Sequence, residues 1–194
     1  SRFKDDSKRF VAEGQYNKTW GEFTLIGGAQ FQRDMAFTKN TYMLDFDGPN
    51  NVNQVGVYAQ TEYKTNGWGF LAALRVDNHD YYGSNLLPKA AITKKVGDGT
   101  FRLTYGKGMA VPSLLNLEGY LFGGLIIGNG LGFTLSDGTK INKLDVETIN
   151  SFEVGYKGSI DKKFYMDVNA YYNLSENFIS PLTQLATNGR TVTH

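Results

Sequence analysis

The sequence has no cysteine, which removes a disulfide framework, cysteine-based zinc sites and a thiol nucleophile together. No uninterrupted apolar run approaches the ~20 residues that a membrane-spanning helix needs. Neither sign of charge dominates: 20 Lys and Arg stand against 19 Asp and Glu, a formal net charge of +1. No long-range field therefore argues for nucleic acid. Imidazole is scarce, with His79 and His194 alone available as histidine bases. The His79-Asp80 pair is adjacent in sequence, which does not supply the base–orienter geometry of a catalytic triad. The expectation is a non-enzyme without cofactor or metal. The chain begins at Ser1 and shows no signal peptide, and it closes on a loop-like stretch. Both ends read as cuts through a longer sequence.

What is present is glycine (23 residues), an aromatic share of 14% and alternation. The stretch from Val55 to Pro112 reads as four strands: QVGVYAQTEYKT, GWGFLAALRVD, PKAAITKK and FRLTYGKGMAVP. Each alternates apolar and polar residues, the mark of a strand with two different faces. Asn66-Gly67 and Asp98-Gly99 supply the residues that tight hairpin turns demand. The same alternation recurs over 9–17, 22–32, 148–158 and 163–173, giving about eight strands. A strand crosses a bilayer with ~9–11 residues, of which only every second one must be apolar. A modest mean hydropathy is thus compatible with a membrane wall.

The connections alternate short (near 18–21, 65–67, 97–99 and 159–162) and long (near 34–53, 78–86, 109–146 and 174–190). In an up-and-down antiparallel sheet every short turn then lies at one rim and every long loop at the other. Outer-membrane barrels have this asymmetry, whereas a sandwich with Greek-key connections has no reason to produce it. The expected fold is an all-β, antiparallel, up-and-down transmembrane β-barrel segment. The expected lipid-facing residues are Trp68, Phe70, Leu74, Phe101, Tyr105, Phe152, Val154, Tyr156, Phe164 and Val168. Glu62, Arg75, Asp77, Arg102, Glu153 and Asp167 fall on the opposite, lumen-facing side. Lys94 and Lys107 sit on the apolar faces near strand ends, where a long stem can snorkel to the interface. Two alternatives share the alternation: a small self-contained eight-stranded barrel, and a surface-exposed adhesin or ligand-binding β module.

The long loops carry the candidate ligand contacts. Asn78, His79, Tyr81 and Tyr82 offer hydrogen-bonding and aromatic groups, as do Tyr120 and Phe122 in the glycine-rich loop. That loop does not match a phosphate-binding fingerprint. Its aliphatics are too many to hang in water, so it is expected to fold over the barrel mouth or against a partner. The run DFDGPNN (Asp45, Asp47, Gly48, Asn50) has some of the oxygens of a calcium loop but lacks the later acidic ligands. It is also ordinary turn chemistry.

Two longer runs carry a resemblance. RLTYGKGMAVPSL (Arg102 to Leu114) resembles the R-x-x-Y-G-x-G-F-R-x-P-S strand end of TonB-dependent outer-membrane receptors. Met109 stands where an aromatic is usual, and Val111 or its neighbour where an arginine is common. ETINSFEVGYKG (Glu147 to Gly158) is similar to the family's E-x-x-x-x-x-E-x-G-Y/L-K strand. The likeness covers most of 54–182. It implies that 1–194 is part of one larger outer-membrane barrel domain, whose plug domain is not in this sequence. It also implies uptake of a scarce nutrient, such as an iron–siderophore, haem, cobalamin, a glycan or a peptide. The partners it implies are membrane lipid, the plug, whose grip would fall to the lumen-facing residues, the TonB energy-transducing complex, the nutrient ligand and a surface lipoprotein.

Overall fold

The structure, a computed structural model, describes residues 3–43, 45, 47–134, 138–160, 163–179, 183–184 and 191–192. Eight long strands form its wall: β1 (Lys8–Trp20), β2 (Phe23–Ala36), β3 (Asn50–Thr65), β4 (Trp68–His79), β5 (Gly83–Val96) and β6 (Gly99–Ala110), then, beyond a long insertion, β11 (Glu147–Ile160) and β12 (Phe164–Glu176). The insertion holds the short helix α1 (Leu114–Glu118) and four two-residue strands: β7 (Tyr120–Leu121), β8 (Ile126–Ile127), β9 (Phe133–Thr134) and β10 (Lys140–Ile141). After β12 come β13 (Thr183–Gln184) and β14 (Thr191–Val192). β14 runs parallel to β8. Among the described residues no helix is long and apolar enough to cross a membrane.

The wall is one antiparallel sheet in the order β1-β2-β3-β4-β5-β6-β11-β12. Its strands do not close on themselves, since β1 and β12 are the two edges. A self-contained eight-stranded barrel is therefore not what forms. The register explains the sheet's shape. Phe23 pairs with Tyr63, two residues before β3 ends at Thr65. Trp68 pairs with Lys94, two before the end of β5 at Val96, and Gly99 pairs with Gly158, two before the end of β11 at Ile160. Each hairpin is thus displaced by the same two residues against the last. With ~3.3 Å per residue and ~4.8 Å between strands, that shift tilts the strands by about 35°. This is the tilt of membrane barrels.

Alternation and register together sort every side chain. The ten residues expected to face lipid share one face. Phe70 is paired with Tyr63 and Ile92, Phe101 with Lys94 and Tyr156, Phe152 with Tyr105 and Tyr172, and Val168 with Tyr156. The six expected to face the lumen lie on the other. Among the described strand residues the polar face carries seven cations (Arg9, Lys64, Arg75, Lys89, Lys95, Arg102, Lys157) and seven anions (Glu13, Asp34, Glu62, Asp77, Glu147, Glu153, Asp167). The apolar face carries Lys8, Lys18, Arg33, Lys94 and Lys107 against Glu176 alone, each toward a strand end. On β1 Lys8 and Lys18 stand ten residues apart, an apolar band of roughly 25 Å at this tilt, whereas on β6 Lys107 lies six residues beyond Phe101, the partner of Lys94.

The side chains of that band are exposed: Phe70, Leu74, Phe101, Leu103, Phe152, Val154 and Val168 all remain open. The buried apolar cluster lies elsewhere, at the long-loop rim, and consists of Ala36, Met43, Val52, Leu117, Leu144 and Val146. A soluble sheet would bury its apolar face. This one presents it outward and builds its core under the loops instead. In a bilayer, Val154→Arg, halfway along β11 on the apolar face, is expected to cost ~2–4 kcal/mol of folding stability. Thr104→Arg, across from Glu153 on the polar face, is expected to cost little. Denaturant titration in lipid vesicles measures both, and equal effects would contradict the assignment of faces.

Candidate functional site

The polar face is held by paired charges. The Arg75 guanidinium grips Asp77 with two bonds of 2.7 Å and donates a third, of 2.9 Å, to Gln30. Such a bidentate pair fixes geometry as well as charge. Asp77 is among the most buried polar residues. The guanidinium also lies over the Tyr58 ring, 5.8 Å from its centre. Tyr58 Oη lies within hydrogen-bond reach of carboxyl and amide oxygens of Glu13 (3.0 Å) and Gln15 (2.9 Å). One network thus crosses β1 to β4. Gly56 makes room for it, because a Cβ there would collide with both Arg75 and Asp77. Further along the wall Arg102 pairs with Glu153, Lys157 with Asp167 and Lys64 with Glu62.

Toward the long-loop rim this face opens into a cavity of about 510 Å³. Arg9, Gln32, Asp34, Gln54 and His79 line its wall, and Pro112, Ser113, Leu114 and Leu117 form its roof. The Asp34 carboxylate accepts from Arg9 Nε at 2.5 Å, from Arg9 Nη2 at 3.1 Å and from Gln32 Nε2 at 2.8 Å. The roof is the start of α1. Ser113 caps it, its hydroxyl accepting from the Asn116 N–H at 3.2 Å, as N-cap serines do. Sequence reasoning missed Arg9, Gln32, Asp34 and Gln54. Their signal was present: each is a polar-face residue at the long-loop end of its strand.

The expected loop from Asn78 to Leu86 is not a loop. β4 runs through Asn78 and His79 and β5 resumes at Gly83, leaving a turn of three residues, Asp80, Tyr81 and Tyr82. The strand ladder simply continues, with Asn78 opposite Ser84 and His79 opposite Gly83. Gly83 closes the turn at φ +62°. The strict short–long alternation of connections is broken here. Asn78 and His79 consequently point to opposite faces. Asn78 donates to the Ser84 hydroxyl at 2.9 Å on the apolar side. His79 is 7% exposed on the polar side. Its Nδ1 accepts the Tyr81 N–H at 3.2 Å, and the Tyr82 ring lies 5.3 Å away. The Asp80 carboxylate accepts from the Asn53 N–H and side-chain amide, at 2.7 and 2.9 Å, so it does not orient His79. Burial pushes the Tyr81 phenol up and takes Tyr82 to about 12. Both rings stay neutral at physiological pH.

Tyr120 and Phe122 lie apart from this cluster. Tyr120 donates its N–H to the Tyr42 carbonyl at 2.8 Å, and Met43 bridges Gly119, so the 37–49 and 111–146 loops are stitched together. Phe122 is exposed at φ +52°. Asn129 is 1% exposed and fully bonded. It donates from Nδ2 to the Asn142 carbonyl and from its N–H to the Asn116 carbonyl, both at 2.8 Å. Its side-chain oxygen accepts the Gly132 N–H at 3.0 Å. The glycine-rich segment is thus a folded cap held to the rim. Leu131, at 94% exposure, still projects from it.

The 37–49 loop is organised by Asp45. Burial pushes the Asp45 carboxyl up, but backbone N–H groups of Thr38 and Asn40 donate to it and prevail, holding it below its ordinary value. Its oxygens cap their own loop. Among the described residues no cluster of three metal-ligating side chains forms. The sign follows from the depressed value: the stabilisation is complete above pH 3.8 and is lost as acid protonates Asp45 below it. Limited proteolysis is expected to find the loop resistant across neutral and mildly acidic pH and nicked below that value. Asp45→Asn is expected to be nicked faster at neutral pH and to have lost most of the acid dependence.

The tilt, the outward apolar band, the short-turn rim with its Trp20–Phe23 and Trp68–Phe70 ring pairs and the capped polar mouth define a class, the wall of an outer-membrane β-barrel. The chain matches the TonB dependent receptor-like, beta-barrel family over residues 1–193 and belongs to it. No curated protein matches it. Among solved structures it is similar to the siderophore receptor PirA from Pseudomonas aeruginosa (TM-score 0.75, 17% identity, 91% of this chain and 33% of that one). It is also similar to a variant of the ferric enterobactin receptor PfeA from the same organism (TM-score 0.70, 19% identity, 89% and 27%). PirA from Acinetobacter baumannii gives TM-score 0.65 at 17% identity, over 97% and 31%. The chain spans about a third or less of the length of these structures. The family is one of outer-membrane receptors and transporters rather than enzymes.

Proposed function

We propose that the chain forms part of the wall of a TonB-dependent receptor that takes up a scarce nutrient across the outer membrane, with a ferric siderophore as the favoured substrate. In this reading the apolar face meets lipid. The polar face lines the lumen and grips the plug through the charged rows around Arg75–Asp77 and Arg102–Glu153. The TonB complex drives uptake through parts of the receptor beyond this chain. The observation that carries the reading is the polar mouth, where Arg9, Gln32, Gln54 and His79 surround a cavity roofed by a folded cap. Its Arg9–Asp34 ion pair, the Gln32 and Gln54 amides and the His79 imidazole offer both donors and acceptors to an oxygen-rich polar ligand. Siderophore receptors are among the structures it resembles, which favours that ligand class over haem, cobalamin, glycans or peptides. The exposed cap residues Phe122 and Leu131 are the surface on which a lipoprotein partner would dock.

The test is radio-iron uptake by cells carrying the full-length receptor as their outer-membrane iron receptor, supplied with ferric siderophores of catecholate and hydroxamate type. Uptake of at least one, abolished by loss of TonB, is expected. Uptake that persists without TonB, or none with any siderophore while another nutrient is taken up, would overturn the respective half of the reading.

A further inference from the structure

Among the described strand residues the apolar face holds five cations, of which Lys8 pairs with Asp6 at the long-loop rim, and one anion, while the polar face holds seven of each. Packing inside the lumen needs balanced charge, and the polar face has it. An excess of one sign on the face turned to lipid calls for an external partner of the opposite sign.

Two of the five cations share a height. The short turns of the four hairpins are equivalent in the tilted frame, and Lys18 and Lys94 each lie two residues before a strand's last residue, Trp20 or Val96. Each meets an indole. Lys94 Nζ lies 4.3 Å from the centre of the Trp68 ring across the β4–β5 ladder, with Phe101 on its other flank. Lys18 Nζ lies 5.1 Å from the Trp20 ring on its own strand. Trp20 and Trp68 are the two tryptophans of the sequence. Among the described residues neither lysine has a carboxylate within ion-pair distance, whereas the polar-face Lys64 and Lys157 both do. An indole face holds an ammonium by cation–π attraction. It leaves other N–H donors of the ammonium pointing outward, at the depth where aromatic belts meet headgroups.

We propose that Lys94 with Trp68, and Lys18 with Trp20, form two binding sites for the phosphate of an anionic phospholipid in the periplasmic leaflet. The ammonium donates to the phosphate oxygens and the indole covers the upper acyl chain. Short turns mark the periplasmic rim in this class of barrel, which selects a phospholipid rather than a surface glycolipid as the source of the phosphate. The inference rests on the lipid-facing reading of the apolar face.

The test is tryptophan quenching in the full-length receptor, reconstituted in mixed vesicles where either phosphatidylglycerol or phosphatidylcholine carries brominated acyl chains. The Trp68 signal is taken as the difference between the parent and Trp68→Phe. The expected result is preferential quenching by brominated phosphatidylglycerol, by about fivefold in relative binding constant. Lys94→Gln should bring that ratio to unity. Lys95→Gln, one residue along and on the polar face, should leave it unchanged. Lys18→Gln should act on Trp20 alone, read against Trp20→Phe. Equal quenching by both lipids in the parent, or an equal drop with Lys95→Gln, would overturn the headgroup sites while leaving the barrel intact. No quenching by either lipid would instead overturn the lipid-facing reading itself.

Discussion

A strand immersed in lipid has no water to bond with, so each of its backbone N–H and C=O groups must be met by a neighbouring strand. This constraint sets the rest of the structure. It makes the wall an antiparallel ladder from β1 to β12, in which the β5–β6 pairing stops at Lys89 and Gly106, short of the long-loop rim. It fixes the side-chain period at two, so that one residue of slip would turn every charged side chain toward hydrocarbon. The constant two-residue displacement of successive hairpins then supplies the tilt. With the ladder doing this work, side chains are free to specialise, with apolar groups outward and paired charges inward.

The two faces solve different problems. Inward, Arg102–Glu153 and Lys157–Asp167 satisfy one another across strands and Arg75–Asp77 along β4, and glycines such as Gly56 let the long side chains lie flat on the wall. Outward, the aromatics of the short-turn rim and the lysines beside them suit the border between hydrocarbon and headgroup. Among the described residues the buried apolar core lies at the long-loop rim, where Met43, Leu117 and Leu144 come from the loops and Asn129 pins the cap. The proposed ligand contacts thereby sit on the strand frame at the mouth.

Most of the wall was legible in the sequence because a half-apolar strand writes its two faces directly into alternate residues. Trp68, Phe70, Val154 and Val168 needed nothing more than counting by two. The turn at 80–82 was not legible. Above the bilayer both faces of a strand are polar, so Asn78, His79, Ser84 and Asn85 carry no alternation, and a strand there reads as a loop. The mouth was hidden for another reason. Arg9, Gln32, Gln54 and His79 come from four strands and converge only through register, which no single segment displays. Asn129 looked like one more residue of a glycine-rich loop, and only its bonds to Asn116, Gly132, Asn142 and Leu144 reveal it as the anchor of the cap.

The central claim is that one face of this ladder meets lipid and the other meets water. Nitroxide labels placed singly along 150–158 of β11, in the full-length receptor in a bilayer, test it most directly. The account predicts collision rates with oxygen that peak at positions 152, 154 and 156, and with a water-soluble nickel complex at positions 151, 153 and 155, with a period of two. Uniform access to the nickel complex along the strand, or the opposite phase, would contradict it.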